Sequence, residues 1–226
     1  MNATIAEIMG TRKVTNGRAT FELSSSISAD EGEQLARWLT AVKPDTYLEV
    51  GFAYGISALY AGSALKATKK NYTHIIIDPM QSENWHNVGV HNLQREGLWD
   101  NVQYREQGSE TALPELMQAG TRLQAAFIDG WHTLDHALVE FFYINRMLDT
   151  GGIVIFDDAN WPGITKLIRY VLNYPAYEFY GGSKLNIVRS IGRDLQHGQF
   201  PKLMPTMVAV RKIADDKRSW DWYRPF

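Results

Sequence analysis

Short strand-like runs alternate along the chain with longer stretches in which apolar residues recur at helical spacing. Seven such runs lie at residues 47–50, 73–77, 102–105, 125–128, 153–156, 177–180 and 206–210. Short strands that alternate with helices of about ten to fifteen residues are typical of a parallel sheet covered on both faces. We therefore predict an α/β fold with one seven-stranded, mostly parallel sheet and helices on both of its faces.

The sequence marks both the start and the end of one helix. Ser28 and Glu31 form a capping-box pattern, apolar residues follow at helical spacing, and Lys43-Pro44-Asp45 ends the pattern. Residues 1–26 show no clear period, and residues 181–205 read as a loop-rich excursion. We expect a single domain over residues 1–226, with an N-terminal extension (1–27), a core (28–212) and an aromatic C-terminal tail (213–226).

A glycine-rich turn follows the first strand of the predicted sheet. It reads Glu49-x-Gly51-x-x-x-Gly55 and leads directly into a helix pattern. Glycines at such a turn let a ligand approach the backbone, and the helix offers unpaired N–H groups. The spacing fits neither the dinucleotide fingerprint nor the phosphate-binding P-loop. A carboxylate ahead of the turn favours an ammonium or sulfonium ligand, although a purely structural turn is the alternative.

This turn resembles the first motif of the class I S-adenosylmethionine-dependent methyltransferases, which have a Rossmann-like fold. The resemblance covers about residues 28–212 and implies S-adenosylmethionine (SAM) as the cofactor, with Glu49, Gly51 and Gly55 in its site. Residues 102–110 resemble the family segment that contacts the adenine, which would implicate Gly108 and Ser109. The alternative for Ser109 is a helix cap, and the two roles are compatible.

Asp78 ends the second apolar run of the sheet. A carboxylate at this position can accept hydrogen bonds from both hydroxyls of a ribose, so we assign Asp78 to the cofactor ribose. The alternative is that Asp78 begins a turn with Pro79, as Asp-Pro often does.

Three more acids follow strands of the predicted sheet. Asp129 ends the run at 125–128, and Asp157 and Asp158 end the run at 153–156. Because the carboxyl ends of parallel strands meet at one edge, these carboxylates should converge, and hard oxygen ligands of this kind suit Mg²⁺. They are similar to residues of the metal-dependent O-methyltransferases that act on catechol, caffeoyl-CoA and macrocin.

That resemblance implies Asp129, Asp157 and Asp158 as ligands of a divalent metal, with Asp129 also near the cofactor. His132 stands where the catechol and caffeoyl-CoA families have a lysine base, so we assign it as general base. Several structural alternatives stay open. The acids and Asn160 suit the cap of a helix beginning near residue 162, Asp129 suits a turn with its following glycine, and a lone histidine is often structural.

The charge and composition of the chain limit the classes of partner that we expect it to bind. A formal charge of −2 and a pI near 6.3 give no basic face for nucleic acid. There are no cysteines, no apolar stretch of membrane-spanning length and no signal-peptide pattern, so we expect a soluble, cytoplasmic protein without membrane contact. The aromatic residues at 219–226 should dock on the core, across a dimer interface or over the substrate pocket.

Together these features predict a SAM-dependent O-methyltransferase, assisted by Mg²⁺ or a similar metal, that acts on a hydroxyl of a small molecule. One alternative is a metal-independent N-methyltransferase of a small molecule. Another is a non-catalytic cofactor-binding module. The expected partners are a small-molecule acceptor and a second copy of the chain in a homodimer.

Overall fold

The computed structural model describes residues 3–68, 71–182 and 205–225. Seven strands form the central sheet, and two short strands form a separate hairpin. The elements in chain order are α1 (Ala3–Thr11), β1 (Lys13–Thr15), β2 (Thr20–Glu22), α2 (Ala29–Val42), β3 (Thr46–Val50), α3 (Ile56–Thr68), β4 (Thr73–Ile77), α4 (Val88–Arg95), a 3₁₀ turn (Trp99–Asn101), β5 (Val102–Arg105), α5 (Ser109–Gln118), β6 (Leu123–Ile128), α6 (Leu134–Met147), β7 (Leu148–Phe156), α7 (Pro162–Leu172), β8 (Tyr177–Gly182) and β9 (Val208–Lys212).

The strand order of the sheet is β5-β4-β3-β6-β7-β9-β8. All pairs from β5 to β7 are parallel, whereas β9 runs antiparallel to both β7 and β8. The α/β prediction of one seven-stranded, mostly parallel sheet is therefore confirmed. Each predicted strand is present, although β7 begins five residues earlier than its apolar run and β9 begins two residues later.

Two apolar layers cover the sheet, because alternate strand residues face opposite sides. One layer joins α1 to α4 with residues such as Phe127 and Ile155, and the other joins α5 to α7 with residues such as Ile128 and Phe156. Helices thus cover both faces. This arrangement leaves the carboxyl ends of the parallel strands as the sheet edge at which loops gather.

The capping box of α2 is present as predicted. Ser28 accepts from the N–H of Glu31, and the Glu31 carboxylate accepts from the N–H of Ser28 at 2.7 Å. Lys43 closes the helix in the left-handed conformation, with φ 52°. The other Glu31 oxygen accepts a short hydrogen bond from the Thr206 hydroxyl, which connects the start of α2 to the segment before β9.

The N-terminal extension is ordered, which its lack of period did not predict. Helix α1 and the β1–β2 hairpin contain buried residues such as Ile5, Ile8 and Val14, and the ring of Phe21 stacks on His86 at 4.5 Å. Strands of three residues carry no readable pattern, so their structure depends on tertiary contacts. Most of the predicted excursion at 181–205 lies outside the described residues.

The C-terminal tail docks on the chain itself. The guanidinium of Arg218 lies 3.2 Å from the ring centre of Tyr174, and Trp222 meets the same ring edge-on at 5.5 Å. Asn173 donates to the carbonyl of Pro225 at 3.0 Å. Of the three sites considered for the tail, these contacts lie on its own core. No helix among the described residues is both long and apolar enough to cross a bilayer.

Candidate cofactor site and carboxylate cluster

Backbone hydrogen bonds extend the parallel ladder just past the strand ends. Gly51 donates to the carbonyl of Ile77 at 2.9 Å, and Asp129 donates to Val50 at 2.9 Å. Asp157 donates to Ile128 at 3.0 Å. These bonds bring the ends of β3, β4, β6 and β7 to one edge, as the sequence predicts, and fix the residues that follow each strand.

The glycine turn adopts backbone conformations that require its glycines. Gly51 has φ 91° and Gly55 has φ 75°, both in the left-handed region. A Cβ atom at Gly51 would lie 2.1 Å from the carbonyl oxygen of Asp129. The glycine is therefore needed because the turn after β3 and the turn after β6 approach each other closely.

The Asp78 carboxylate closes this turn from the neighbouring strand. One oxygen accepts from the N–H groups of Phe52 and Ala53, both at 2.9 Å, and the other accepts from Met80 at 2.7 Å. The bond to Met80 is the turn expected of Asp-Pro, so that alternative is confirmed. Because Asp78 also holds the glycine turn, it has a structural role beside the predicted ribose role, which stays a prediction.

Glu49 lies in the interior of β3 and is completely buried. One of its oxygens accepts a short hydrogen bond from the Ser57 hydroxyl, and the other lies 2.9 Å from Nε2 of His74. Both carboxylate oxygens of Glu49 are thus engaged within the chain. Its cofactor role stays a prediction. His74 is a partner of Glu49 that was not predicted from the sequence. Its one signal was a histidine within an otherwise apolar strand.

At the next loop, Gly108 caps α5 and Ser109 is the first residue of the helix. No side chain caps this helix, so the alternative that Ser109 is its cap is wrong. The Ser109 hydroxyl instead donates to Oε1 of Glu140 at 2.8 Å. Glu140 is buried on α6, and burial raises its pKa to about 7, against the opposing effect of the Ser109 hydrogen bond. No motif in the sequence indicated Glu140 as the partner of Ser109.

The acids at the ends of β6 and β7 form a compact cluster. The carboxyl groups of Asp129 and Asp157 are hydrogen-bonded to each other. Burial, with the charges of neighbouring carboxylates, raises the pKa of Asp129 well above its usual range and that of Asp157 to about 8. Oδ1 of Asp157 is buried without a hydrogen-bond partner in the described chain. Burial therefore disfavours the charged form of both carboxyl groups.

His132 lies beside this cluster. Its Nε2 is 3.5 Å from Oδ2 of Asp158 and 3.9 Å from Oδ1 of Asp129, and its ring centre is 5.5 Å from that of Trp161. Asp158 has φ 48°, a strained conformation for a residue other than glycine. Trp161 is the N-cap residue of α7 and no side chain caps that helix, so the proposed capping role of the acids and Asn160 is wrong.

The oxygen donors of this cluster are of the kind that binds a hard divalent cation, but the positions of the three side chains do not form a metal-binding geometry. Asp129, Asp157 and Asp158 supply oxygen donors, and the unpartnered oxygen of Asp157 is a ready ligand. In the portion of the chain that the structure describes, no three His, Asp or Glu side chains stand in metal-binding geometry. The described arrangement is that of two buried carboxyl groups that lie within hydrogen-bonding distance of each other.

Comparison with known proteins agrees with this geometry. Residues 48–159 match the sequence model of a family described as a methyltransferase domain. Caffeoyl-CoA O-methyltransferase 1 from Eucalyptus globulus is 25% identical over 156 residues, which cover 65% of this chain and 61% of that protein. The chain thus aligns with less than two thirds of the length of this curated relative.

Solved structures share the fold at low identity. The O-methyltransferase from Bacillus cereus, in complex with SAH, superposes with a TM-score of 0.68 at 14% identity, covering 94% of this chain and 91% of that one. The O-methyltransferase TomG from Streptomyces achromogenes, involved in tomaymycin synthesis and in complex with SAM, gives 0.68 at 14% identity over 95% and 91%. Residues 48–159 therefore match a methyltransferase domain, and the chain has the fold of the class I S-adenosylmethionine-dependent methyltransferases.

Proposed function

We propose that this chain transfers the methyl group of SAM to a hydroxyl of a small molecule. One observation carries the proposal. The glycine turn after β3, the acids after β6 and β7 and the imidazole of His132 all meet at one edge of the sheet. Curated relatives of this chain are named as O-methyltransferases, which supports a hydroxyl as the acceptor.

The cofactor would bind along the glycine turn. Gly51 and Gly55 carry no side chain that would keep a ligand from the backbone of the turn, and the nearby acids would attract a positively charged sulfonium. Oδ2 of Asp78 already accepts two hydrogen bonds, but Oδ1 accepts only one, so Asp78 can hold the turn and still accept a ribose hydroxyl at Oδ1. Ser109 would border the adenine.

His132 would take the proton of the acceptor. When bound, the cofactor supplies an electrophilic methyl group, which bonds to the substrate oxygen as its bond to sulfur breaks. The hydroxyl proton must leave during this step, and the His132 imidazole can accept it at Nε2. Asp158 and Asp129, at 3.5 and 3.9 Å from that nitrogen, would stabilise the imidazolium that forms.

Asp129, Asp157 and Asp158 would hold the divalent metal that the sequence predicts. Such an ion would lower the pKa of a hydroxyl that contacts it, and its charge would stabilise the ionised forms of these buried acids. A metal-independent N-methyltransferase is the second candidate. It is supported by the absence of a metal-binding group of three acidic or histidine side chains among the described residues, since the acids could then position an amine directly.

The test combines cofactor binding with turnover. We expect calorimetry to detect binding of SAM and of its demethylated product, S-adenosylhomocysteine (SAH). Methyl transfer to a panel of phenols, catechols, sugars and amines is then measured in EDTA and after addition of Mg²⁺. Under the metal-assisted proposal, EDTA abolishes transfer to hydroxyls and Mg²⁺ restores it. Asp158→Asn should lose this response, and Asp135→Asn, an exposed acid on α6, should keep it.

Three outcomes would change the proposal. An absence of binding to either cofactor form would overturn it altogether. Transfer to amines with full activity in EDTA would establish the metal-independent candidate instead. Binding without turnover on the whole panel would favour a non-catalytic cofactor-binding module. The cytoplasmic location and the homodimer stay predictions.

A further inference from the structure

A cleft lies between the last turn of α6 and the C-terminal tail, and we call it the tail cleft. Its volume of about 360 Å³ is within the range of small-molecule sites. Six residues form its walls: Arg146, Asp216, Arg218, Ser219, Trp220 and Trp222. Trp220 is 98% exposed, so its indole leaves a large apolar surface in water beside the cleft.

The tail cleft lies far from the candidate cofactor site. Helix α6 starts at Leu134, just after the carboxyl end of β6, and Arg146 lies in its last turn. At a rise of about 1.5 Å per residue, Arg146 is about 18 Å along the helix from the loop that carries His132. The next strand, β7, begins at Leu148, so the cleft lies near the edge of the sheet at which the parallel strands begin.

Contacts within the chain hold the tail side of the cleft in place. Nε and Nη2 of Arg218 donate to the two oxygens of Asp216, both at 2.7 Å. The N–H of Trp222 donates to the carbonyl of Ser219 at 3.1 Å, which closes a turn around Trp220. The cleft is therefore formed before any ligand binds, and this lowers the entropic cost of binding.

The charges of the tail cleft leave one cation without a counter-charge. Asp216 is the one acid among the six residues, and both of its oxygens accept from Arg218, so these two charges offset each other. Nη1 of Arg146 donates to the carbonyl of Phe142 at 2.8 Å, and the guanidinium lies 3.5 Å from the centre of the Phe142 ring. Within the described part of the chain, Arg146 forms no ion pair with a carboxylate.

The hydrogen-bonding groups that remain in the cleft can donate. Arg146 uses one of its five N–H groups for the Phe142 carbonyl. The Ser219 hydroxyl and the indole N–H of Trp220 form no hydrogen bond with another described residue. Each oxygen of Asp216 already accepts two hydrogen bonds. A ligand would therefore meet donors, a positive charge and an aromatic surface.

We propose that the tail cleft is a second binding site, which takes a small aromatic carboxylate. The guanidinium of Arg146 would pair with the carboxylate through two parallel hydrogen bonds, and the ring of the ligand would lie against the indole of Trp220. A monoanion matches the single unpaired cation, whereas a phosphate dianion would keep an uncompensated charge near Asp216. The inference does not depend on the proposed methyl transfer, because the cleft shares no residue with the candidate cofactor site.

The experiment titrates the full chain with 2-naphthoate and follows the indole N–H signals by NMR. The chain has seven tryptophans, so Trp220→Phe identifies the signal of Trp220. We expect this signal to shift on binding, with a Kd of about 1 mM or tighter, which is typical for a ligand of this size. Saturating SAH should leave the titration unchanged, because the two sites are separate.

Two analogues test the two parts of the recognition. 2-Naphthamide keeps the rings and loses the charge, so it should bind roughly tenfold or more weakly. Cyclohexanecarboxylate keeps the charge and loses the aromatic ring, so it should bind severalfold more weakly. Affinity for either analogue equal to that for 2-naphthoate would overturn the inference.

Variants test whether Arg146 and Trp220 form the site. Arg146→Gln removes the cation and should weaken 2-naphthoate binding roughly tenfold or more. Trp220→Ala removes the stacking surface and should weaken binding severalfold. Arg169→Gln, at an exposed arginine in the last turn of α7, is the matched control and should keep the wild-type affinity. Both substituted residues are exposed, so the urea midpoints of the variants should stay close to that of the wild type.

Three results would overturn the inference. The first is the absence of any shift of the Trp220 signal up to about 10 mM 2-naphthoate. The second is wild-type affinity in both Arg146→Gln and Trp220→Ala. The third is displacement by SAH or weaker binding to His132→Ala, since the ligand would then lie at the carboxyl ends of the strands. A chain that binds 2-naphthoate at the tail cleft but does not bind SAH would support this inference and overturn only the proposed function.

Discussion

The hydrogen bonds of Asp78 make a quantitative prediction for one substitution. Asp78→Ala removes both oxygens that accept from the N–H groups of Phe52, Ala53 and Met80. The Asp78 side chain lies in a position that is 5% exposed, so water can replace the lost carboxylate only in part. The substitution therefore acts on the stability of the glycine turn as well as on any bound ribose.

The size of the effect follows from the donors left behind. An unsatisfied buried donor costs about 1–3 kcal/mol. The N–H of Phe52 makes a fully buried bond, whereas the N–H groups of Ala53 and Met80 make partly buried ones that water can reach. We therefore expect Asp78→Ala to lower the free energy of unfolding by about 3–5 kcal/mol. Loss of bonds to the ribose should weaken SAH binding to the folded variant by a further 1–3 kcal/mol, or about 5- to 150-fold.

Urea denaturation measures the first effect and calorimetry under folding conditions measures the second. Asp78→Asn keeps one acceptor oxygen and should lose less stability than the alanine variant. Asp100→Ala, at an exposed position in the 3₁₀ turn before β5, should change stability by less than about 0.5 kcal/mol. A stability loss with unchanged SAH affinity would refute the ribose role alone. Wild-type behaviour of Asp78→Ala in both measurements would refute the structural reasoning too.

Three further predictions follow from the site. His132→Ala should lower turnover by roughly 10²–10⁴-fold with SAH affinity nearly unchanged. The rate of the wild type should rise with pH as the imidazole loses its proton, and the variant should lack this rise. A variant with wild-type turnover and pH profile would contradict the role of His132 as base. Gly51→Ala should reduce soluble, folded protein or its urea midpoint, because its Cβ would lie 2.1 Å from the Asp129 carbonyl; a normal midpoint would show that the two turns separate freely. Glu140→Gln should be the more stable protein at pH about 8, by about 2–3 kcal/mol, and equal to wild type at pH about 4. The pKa of Glu140 in the folded protein, about 7, exceeds its ordinary value of 4.5, so the wild type loses stability as pH rises from about 4.5 to 7. If Glu140→Gln and the wild type differ equally in denaturation midpoint at both pH values, this prediction is wrong.

The sequence was sufficient for the sheet and for the edge at which the site lies. Apolar runs mark β3, β4, β6 and β7 locally, and the carboxyl ends of parallel strands must meet. Asp129, Asp157 and Asp158 directly follow their strands, so their convergence needed no knowledge of the side-chain packing. This is why the acids and His132 were found near one another, as expected.

Side-chain partners across long sequence separations could not be predicted. Glu49 pairs with His74, 25 residues away, and Ser109 pairs with Glu140, 31 residues away. Which face of a helix or strand meets which neighbour depends on register and packing, for which no local pattern exists. For the same reason, the sequence indicates Asp78 as a ligand-binding residue but gives no sign of its hydrogen bonds to Phe52 and Ala53 of the glycine turn.

The left-handed backbone of Asp158 bears on how the chain would respond to selection for heat resistance. A residue other than glycine or asparagine at φ 48°, buried beside other acids, lowers stability through both strain and repulsion. Substitution of Asp158 by asparagine or glycine would relieve both effects. A screen that scored thermal stability alone would therefore enrich changes at this turn first, and the resulting proteins would be more stable but would lack one of the acids of the predicted site.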